Sequence, residues 1–158
     1  MNSIKSPWRF EYVTAANQTS GCIFCHAAEF ATQPESLVLH QAKHNFVLLN
    51  RYPYNNGHIM IAPYRHVANP ADVDSDVLQE MMLLFQKGIQ ALRAVYQADG
   101  FNMGMNLGKC AGAGVEEHYH LHVVPRWNGD TNFMATLAET RVIPEDFAIT
   151  LGKLKPLF

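Results

Sequence analysis

One stretch of the sequence has the apolar periodicity of a long amphipathic helix. After Asn69-Pro70, apolar side chains recur at spacings of three and four through Ala98, and Asp99-Gly100 ends the pattern. The members of this stripe are Leu78, Met81, Met82, Phe85, Ile89, Leu92 and Tyr96. A helix with one apolar stripe has to pack against another layer, so we interpret the two methionines as core filling rather than a cofactor site.

Short aliphatic segments lie on both sides of this helix in the sequence and have the character of β-strands. Before the helix, two such segments have a hairpin-like spacing, a turn rich in Pro, Asn and Gly follows, and a third segment is closed by Pro63. Two further segments follow the helix, and the second alternates with period two. The five predicted strands are 37–40, 45–50, 58–62, 101–106 and 117–126. This pattern predicts an α+β domain with a mainly antiparallel five-stranded sheet and one long helix.

Composition limits the possible partners. The 158 residues include 12 Lys and Arg and 14 Asp and Glu, for a formal net charge of −2, so no broad nucleic-acid-binding surface is expected. No apolar run reaches the ~18–20 residues that span a bilayer. The N-terminal ten residues lack the apolar segment of a secretory signal. We therefore expect a single cytoplasmic domain with neither a nucleic-acid nor a membrane partner.

The last predicted strand carries three histidines at alternate positions. In a strand, alternate side chains share a face and lie about 6.5–7 Å apart. His118, His120 and His122 should therefore line one face, while Tyr119, Leu121 and Val123 enter the core on the other. Ligands spread along a straight strand are too far apart for all three to bind one ion at about 2.1 Å each. We therefore expect a site in which the histidines have different tasks.

A glycine-rich loop precedes the histidines. Gly108, Gly112 and Gly114 allow backbone N–H groups to approach an anion closely. Glycine-rich turns are common, but beside a row of imidazoles the loop indicates nucleophilic catalysis, with backbone donors holding an oxyanion.

Two of the three cysteines have the spacing of a metal knuckle. Cys22 and Cys25 supply two thiolates of a tetrahedral zinc site, and His26, His66 and His118 are candidates for the remaining ligands. A redox pair of the thioredoxin kind would need a βαβ context, which the sequence does not have. Two plain reduced cysteines are the remaining alternative, and Cys110 is interpreted as structural or incidental.

These residues carry a resemblance to a known family. His118-Tyr-His120-Leu-His122-Val-Val resembles the HIT (histidine triad) signature, and residues 46–63 resemble the first half of the same domain. The similarity extends from Cys22 to about Trp127. Glu117 and the segment 125–133, PRWNGDTNF, are similar to the diadenosine tetraphosphate phosphorylase branch.

The resemblance implies a HIT-like fold at residues 21–135. The first twenty residues are then an N-terminal arm, and residues 136–158 are a C-terminal extension packed on the domain. Family members are commonly homodimers that join two sheets edge to edge, so a homodimer is expected.

The resemblance also implies a chemistry. HIT enzymes cleave or transfer nucleotides at the α-phosphate through a covalent nucleotidyl-histidine. His120 matches the nucleophile, and His122 matches the residue that contacts the phosphate and assists the leaving group. Asn50 and His58 match positions near the nucleoside and the active-site base, and Asn106 matches a polar residue of the phosphate pocket. We expect the second ring nitrogen of His120 to donate to a carbonyl of the neighbouring strand.

Zinc-containing relatives imply the ligand set of a structural zinc ion (Zn²⁺). The matching residues are Cys22, Cys25, His66 and His118, which would fill all four positions. One departure concerns Gly114, where many relatives have Ser or Gln to hold a phosphate oxygen. Backbone N–H groups near Gly112 and Gly114 are left for that task, and the choice between water and inorganic phosphate as second substrate stays open.

The functional prediction is a HIT enzyme that cleaves a dinucleoside polyphosphate, such as diadenosine tetraphosphate, by phosphorolysis. Hydrolysis of dinucleoside polyphosphates or of adenosine phosphoramidates is the alternative within the family. Two other classes are a non-catalytic nucleotide-binding module and a zinc-dependent structural or redox protein. An intact triad argues against a pure binding module, which has no need of a nucleophile.

Overall fold

The computed structural model describes residues 21–130 and 145–158. In chain order its elements are α1 (Ile23–Glu29), β1 (Val38–Gln41), β2 (Asn45–Leu49), β3 (Ile59–Pro63), α2 (Ser75–Tyr96), β4 (Gly100–Gly104), β5 (Leu121–Arg126) and α3 (Phe147–Leu154). The predicted arm at residues 1–20 lies outside the described residues, as do residues 131–144. Among the helices described, none has the length and apolar character needed to cross a membrane.

The five strands form one antiparallel sheet in the order β1-β2-β3-β5-β4. The predicted α+β architecture, with a five-stranded antiparallel sheet and one long helix, is therefore confirmed. After β3 the chain passes through α2 and forms β4 at the edge of the sheet. It then returns as β5, which lies between β3 and β4. The register places Met60 of β3 on one side of His122 and Gly104 of β4 on the other.

Helix α2 is shorter than the periodic pattern suggested. It begins at Ser75, because Asn69 caps a separate 3₁₀ turn at Pro70–Asp72. It ends at Tyr96, because Gln97 has a left-handed backbone with φ 51°. Met81 is buried at 1% exposure, but Met82 is 47% exposed, so the interpretation of both methionines as core filling is wrong for Met82. Consecutive helical positions are about 100° apart around the axis, and only Met81 faces the sheet.

Both faces of the sheet are covered. On one face, α2 and α3 pack on a core that includes Ile59, Ile61, Leu92 and Leu154, with Tyr119, Leu121 and Val123 from around β5. On the other face, Phe24 of α1 packs with Phe46, Leu48 and Met60. Directly opposed residues of neighbouring strands share a face, so His122 lies on the α1 side with Met60.

Candidate active site

The histidines lie at the point where the regular pairing of β5 begins. The predicted strand 117–126 is wrong at its start, since β5 runs only from Leu121 to Arg126. The neighbouring β3 ends at Pro63, whose nitrogen carries no hydrogen and cannot continue the ladder. The Tyr119 N–H bonds instead to the Val67 carbonyl (2.9 Å). The predicted alternation still holds, because Tyr119, Leu121 and Val123 all belong to the core under α2.

One ring nitrogen of His120 is hydrogen-bonded, and the other has no hydrogen-bond partner among the residues that the structure describes. Its Nδ1 lies 3.0 Å from the His118 carbonyl oxygen, which can only accept, so Nδ1 carries the hydrogen and Nε2 keeps its lone pair. The prediction that His120 donates to a carbonyl of the neighbouring strand is wrong, since the acceptor lies two residues earlier in the same segment. Burial lowers the pKa of His120, which keeps the ring neutral, and the Phe24 ring lies 4.5 Å away.

His58 and His122 form a second hydrogen-bonded unit. The Tyr54 N–H donates to His58 Nδ1 at 3.0 Å, so the hydrogen of the neutral ring is on Nε2. His58 Nε2 then donates to His122 Nδ1 at 3.0 Å, which leaves the His122 hydrogen on its own Nε2. Burial, followed by repulsion from the neighbouring histidines, lowers the pKa of His58 to about 3. Burial and then His120 lower the pKa of His122 to about 4.

Asn50 supports this unit. Its Oδ1 accepts the Tyr52 N–H at 2.9 Å, which fixes the orientation of the amide. Its Nδ2 then faces His58 Nδ1 at 3.3 Å, so that nitrogen receives two donors. The family resemblance placed Asn50 and His58 near the nucleoside and the active-site base, and the structure brings these two side chains into contact.

The glycine-rich loop reaches the same face of the sheet. Val115 at its end packs against the apolar cluster around Phe24, on the side where His122 lies. Asn106 Nδ2 donates to the Gly112 carbonyl at 3.5 Å, a long bond that joins the two ends of the loop. Gly112 has φ +85°, a backbone conformation that side chains disfavour, and Gly112 and Gly114 are both exposed.

Four side chains form a compact cluster beside the triad. The ligand atoms of Cys22, Cys25, His66 and His118 all lie within 4.8 Å of one another. His118 Nδ1 is 3.3 Å from Cys22 Sγ, and His66 Nδ1 is 3.4 Å from Cys25 Sγ. His26, the other candidate ligand, is not in the cluster and packs on Phe30.

The donor atoms of this cluster fit a tetrahedral zinc ion. His118 Nε2 lies 2.8 Å from the Pro63 carbonyl, so this nitrogen carries the hydrogen and Nδ1 offers a lone pair to the cluster. Donors at about 2.0–2.3 Å from a tetrahedral ion are roughly 3.3–3.8 Å apart, which matches the contacts between these thiols and imidazoles. Two thiolates with two imidazoles are a common zinc ligand set.

Two contributions could not be read from the sequence. The Phe24 ring packs on the rings of His118 at 5.2 Å and His120 at 4.5 Å. Its position between the two cysteines was the only sign in the sequence that it lies near the site. The Tyr54 N–H, which fixes the His58 tautomer, is a backbone group. The Pro-Asn-Asn-Gly composition identified a turn there but gave no information on where its amides point.

The fold and the sequence together define the class of this protein. Residues 31–129 match the model of the HIT domain, so the chain belongs to the HIT family.

Its relatives include a Mycobacterium tuberculosis protein named AP-4-A phosphorylase, which is 44% identical over 111 residues, covering 70% of this chain and 57% of the relative. The chain thus spans a little over half the length of that relative. A Zn-bound histidine triad family protein from Mycobacterium smegmatis superposes with TM-score 0.69 at 29% identity, over 87% of this chain and 92% of that one. A Sulfolobus tokodaii histidine triad nucleotide-binding protein, at 24% identity and TM-score 0.70, shares the fold over 86% of this chain and 91% of its own.

Proposed function

We propose that this chain is a nucleotide-processing enzyme that cleaves a dinucleoside polyphosphate, such as diadenosine tetraphosphate, by phosphorolysis. The observation that carries the proposal is the lone pair on His120 Nε2, which lies beside a His122 ring that has a hydrogen to donate. The similarity to an AP-4-A phosphorylase supports this choice of substrate.

In the first step, His120 Nε2 attacks the α-phosphorus. An N–P bond forms, the bond from phosphorus to the bridging oxygen breaks, and the nucleoside polyphosphate leaves as an anion. The positive charge that develops on the His120 ring is stabilised at Nδ1–H by the His118 carbonyl. His122 Nε2–H and the loop amides near Gly112 and Gly114 donate to the phosphate oxygens, while Asn50 and Asn106 complete the substrate site.

In the second step, an oxygen of inorganic phosphate attacks the same phosphorus and the N–P bond breaks. His120 Nδ1 keeps its hydrogen throughout, so the ring returns to its starting tautomer. For diadenosine tetraphosphate the products are ATP from the first step and ADP from the second. Water as acceptor would release AMP instead.

The products therefore test the proposal. The purified protein is incubated with diadenosine tetraphosphate with and without inorganic phosphate, and the nucleotides are separated. We expect ADP and ATP only when phosphate is present. AMP and ATP without phosphate would identify a hydrolase, and turnover of adenosine phosphoramidate alone would identify the other alternative. Nucleotide binding with no product from any of these substrates would overturn the enzymatic proposal in favour of a binding module.

We also propose that Cys22, Cys25, His66 and His118 hold a zinc ion that stabilises the fold next to the triad. All four positions are filled by protein, so the ion has no place for a water or substrate. Its part is to fix the segment that presents the His118 carbonyl to His120. Thiolate ligation requires reduced cysteines, which agrees with the cytoplasmic location that we propose.

Cysteine variants test the zinc site. We expect about one zinc per chain in the wild type and in Cys110→Ser, whose exposed thiol lies outside the cluster. Cys22→Ser should lose the zinc and the stabilisation it gives, about 2.7 kcal/mol at free zinc a hundredfold above its Kd. The measurements are metal content and thermal unfolding with and without a chelator. Full zinc occupancy in Cys22→Ser would contradict the assignment.

A further inference from the structure

A hydrogen-bonded cluster around Asp130 joins the end of strand β5 to the turn that follows it. Asp130 accepts from Arg126 with both oxygens, at 2.6 Å from Nε and 2.7 Å from Nη2, and its Oδ2 also accepts the Trp127 N–H at 3.2 Å. The Asp130 side chain is 11% exposed. Arg126 in turn donates to Asn102 of β4 at 2.7 Å. Arg126, Trp127 and Asp130 lie in the segment whose sequence resembles one branch of the family, and the proposed reaction gives them no part.

Asn55 connects this cluster to the turn before His58. Its Nδ2 donates to Asp130 Oδ2 at 2.9 Å and to the Pro125 carbonyl at 3.2 Å. Its own carbonyl accepts the His58 N–H at 3.1 Å. The preceding residue, Tyr54, donates its N–H to His58 Nδ1. Two consecutive residues thus hold His58 by its backbone and by its ring, and Asp130 anchors them to β5.

The position of the turn determines which nitrogens carry hydrogens. A neutral imidazole has one N–H, so loss of the Tyr54 donor would allow the His58 hydrogen to move from Nε2 to Nδ1. His58 Nε2 would then face His122 Nδ1 as an acceptor, and His122 would have to place its hydrogen on Nδ1. His122 Nε2 would become a lone pair, which repels a phosphate oxygen. Asn50 Nδ2 opposes this change from a longer distance, 3.3 Å.

We propose that Asn55 and Asp130 are positioning residues that hold His58 in the Nε2–H tautomer and thereby give His122 a hydrogen to donate to substrate. The consequence for catalysis rests on the proposed function, whereas the consequence for the two rings does not. The cluster around Asp130 then supports the reaction through the turn at Tyr54 and Asn55.

Two variants and a matched control test this inference. Asn55→Ala removes the link to the turn, and Asp130→Asn keeps the side-chain shape but removes the carboxylate that Asn55 and Arg126 share. The control is Asp99→Asn, because Asp99 caps the same segment through the Asn128 N–H at 2.8 Å rather than through Asn55. The zinc-loaded full chain is used, and thermal unfolding checks each fold. Asp130→Asn, with its conserved shape, gives the answer where Asn55→Ala does not fold.

The direct readout is the nitrogen-15 NMR signature of the His58 and His122 rings. We expect protonated Nε2 on both rings in the wild type and in Asp99→Asn, and a shift toward protonated Nδ1 in Asn55→Ala and Asp130→Asn. With diadenosine tetraphosphate, kcat should fall roughly ten- to hundredfold in these two variants with a smaller change in KM. Unchanged tautomers in a folded variant, or the same change in Asp99→Asn, would overturn the inference. If the two variants show the tautomer shift but the wild type turns over no substrate, the inference about the rings is supported and the proposed function is refuted.

Discussion

At the residue scale, the partner of each histidine decides what its ring can do. His118 gives its Nε2 hydrogen to the Pro63 carbonyl and offers Nδ1 to the cysteines. His120 donates through Nδ1 to the His118 carbonyl, so its Nε2 is unprotonated. His122 accepts at Nδ1 and has a hydrogen at Nε2. The alternation in the sequence predicted the shared face, but these tautomers follow from backbone groups whose positions only the fold determines.

Protonation of the buried histidines should lower stability in acid. The pKa of His122 is about 4 in the folded chain, below its ordinary value of 6.5. Below pH 6.5 the unfolded chain therefore binds a proton that the folded chain does not. The contribution of neutral His122 to the free energy of unfolding is therefore complete above pH 6.5 and is lost as the pH falls toward 4.

We therefore predict a different pH dependence for His122→Gln. Between pH 6.5 and 4, the free energy of unfolding should fall more steeply in the wild type than in His122→Gln. The two slopes should differ by up to about 1.4 kcal/mol per pH unit. Denaturant unfolding at a series of pH values measures both curves. Acid also removes metal, but it does so from both proteins, so the difference reports the histidine. Parallel curves would contradict the assigned burial.

At the element scale, the sequence predicted α2 and the sheet but not α1. A long stripe of apolar residues identifies a helix of 22 residues, whereas the seven residues of α1 have too few turns for a period to emerge. The cysteine spacing predicted half of the zinc cluster, but only the resemblance selected His66 and His118 from the candidate histidines, because they are 41 and 93 residues from Cys25. The start of β5 was missed because the sequence does not show that β5 pairs with β3, which ends at Pro63.

The approach of α2 to the sheet depends on a glycine. A Cβ at Gly88 would lie 2.7 Å from Ile59 Cδ1, whereas a Cβ at Gly152 of α3 would meet nothing within 4 Å. Gly88→Ala should destabilise the fold by about 1–3 kcal/mol despite its better helix propensity. Gly152→Ala, the matched change in open space, should stabilise it by about 0.5–1 kcal/mol. Chemical denaturation measures both, and a stabilised Gly88→Ala protein would refute this packing.

At the scale of the whole molecule, β4 forms one edge of the sheet and pairs only with β5 among the described strands. Met103 on β4 is 48% exposed, and Leu107 after it is 42% exposed. An exposed strand edge with apolar side chains is a template for pairing with another chain. These features agree with the homodimer that the family resemblance implies, and we propose that two β4 strands join its sheets edge to edge.

A charge on this edge should separate the dimer. We predict that Met103→Lys is monomeric by light scattering at a concentration where the wild type is dimeric. Ile149→Lys serves as control, since Ile149 is 53% exposed on α3, away from the edge. A monomeric wild type, or a dimer that Met103→Lys leaves intact, would refute this interface.

The step that most defines the proposed mechanism is the covalent attachment of the nucleotide to His120. Radiolabelled diadenosine tetraphosphate is mixed with the protein without phosphate, and the reaction is stopped in alkaline denaturant, in which an N–P bond to histidine survives. We predict an adenylyl label on the wild type that acid releases, and no label on a folded, nucleotide-binding His120→Ala protein. A wild type that turns over the substrate with no labelled protein at any time, or a labelled His120→Ala protein, would rule out His120 as the residue that carries the nucleotide.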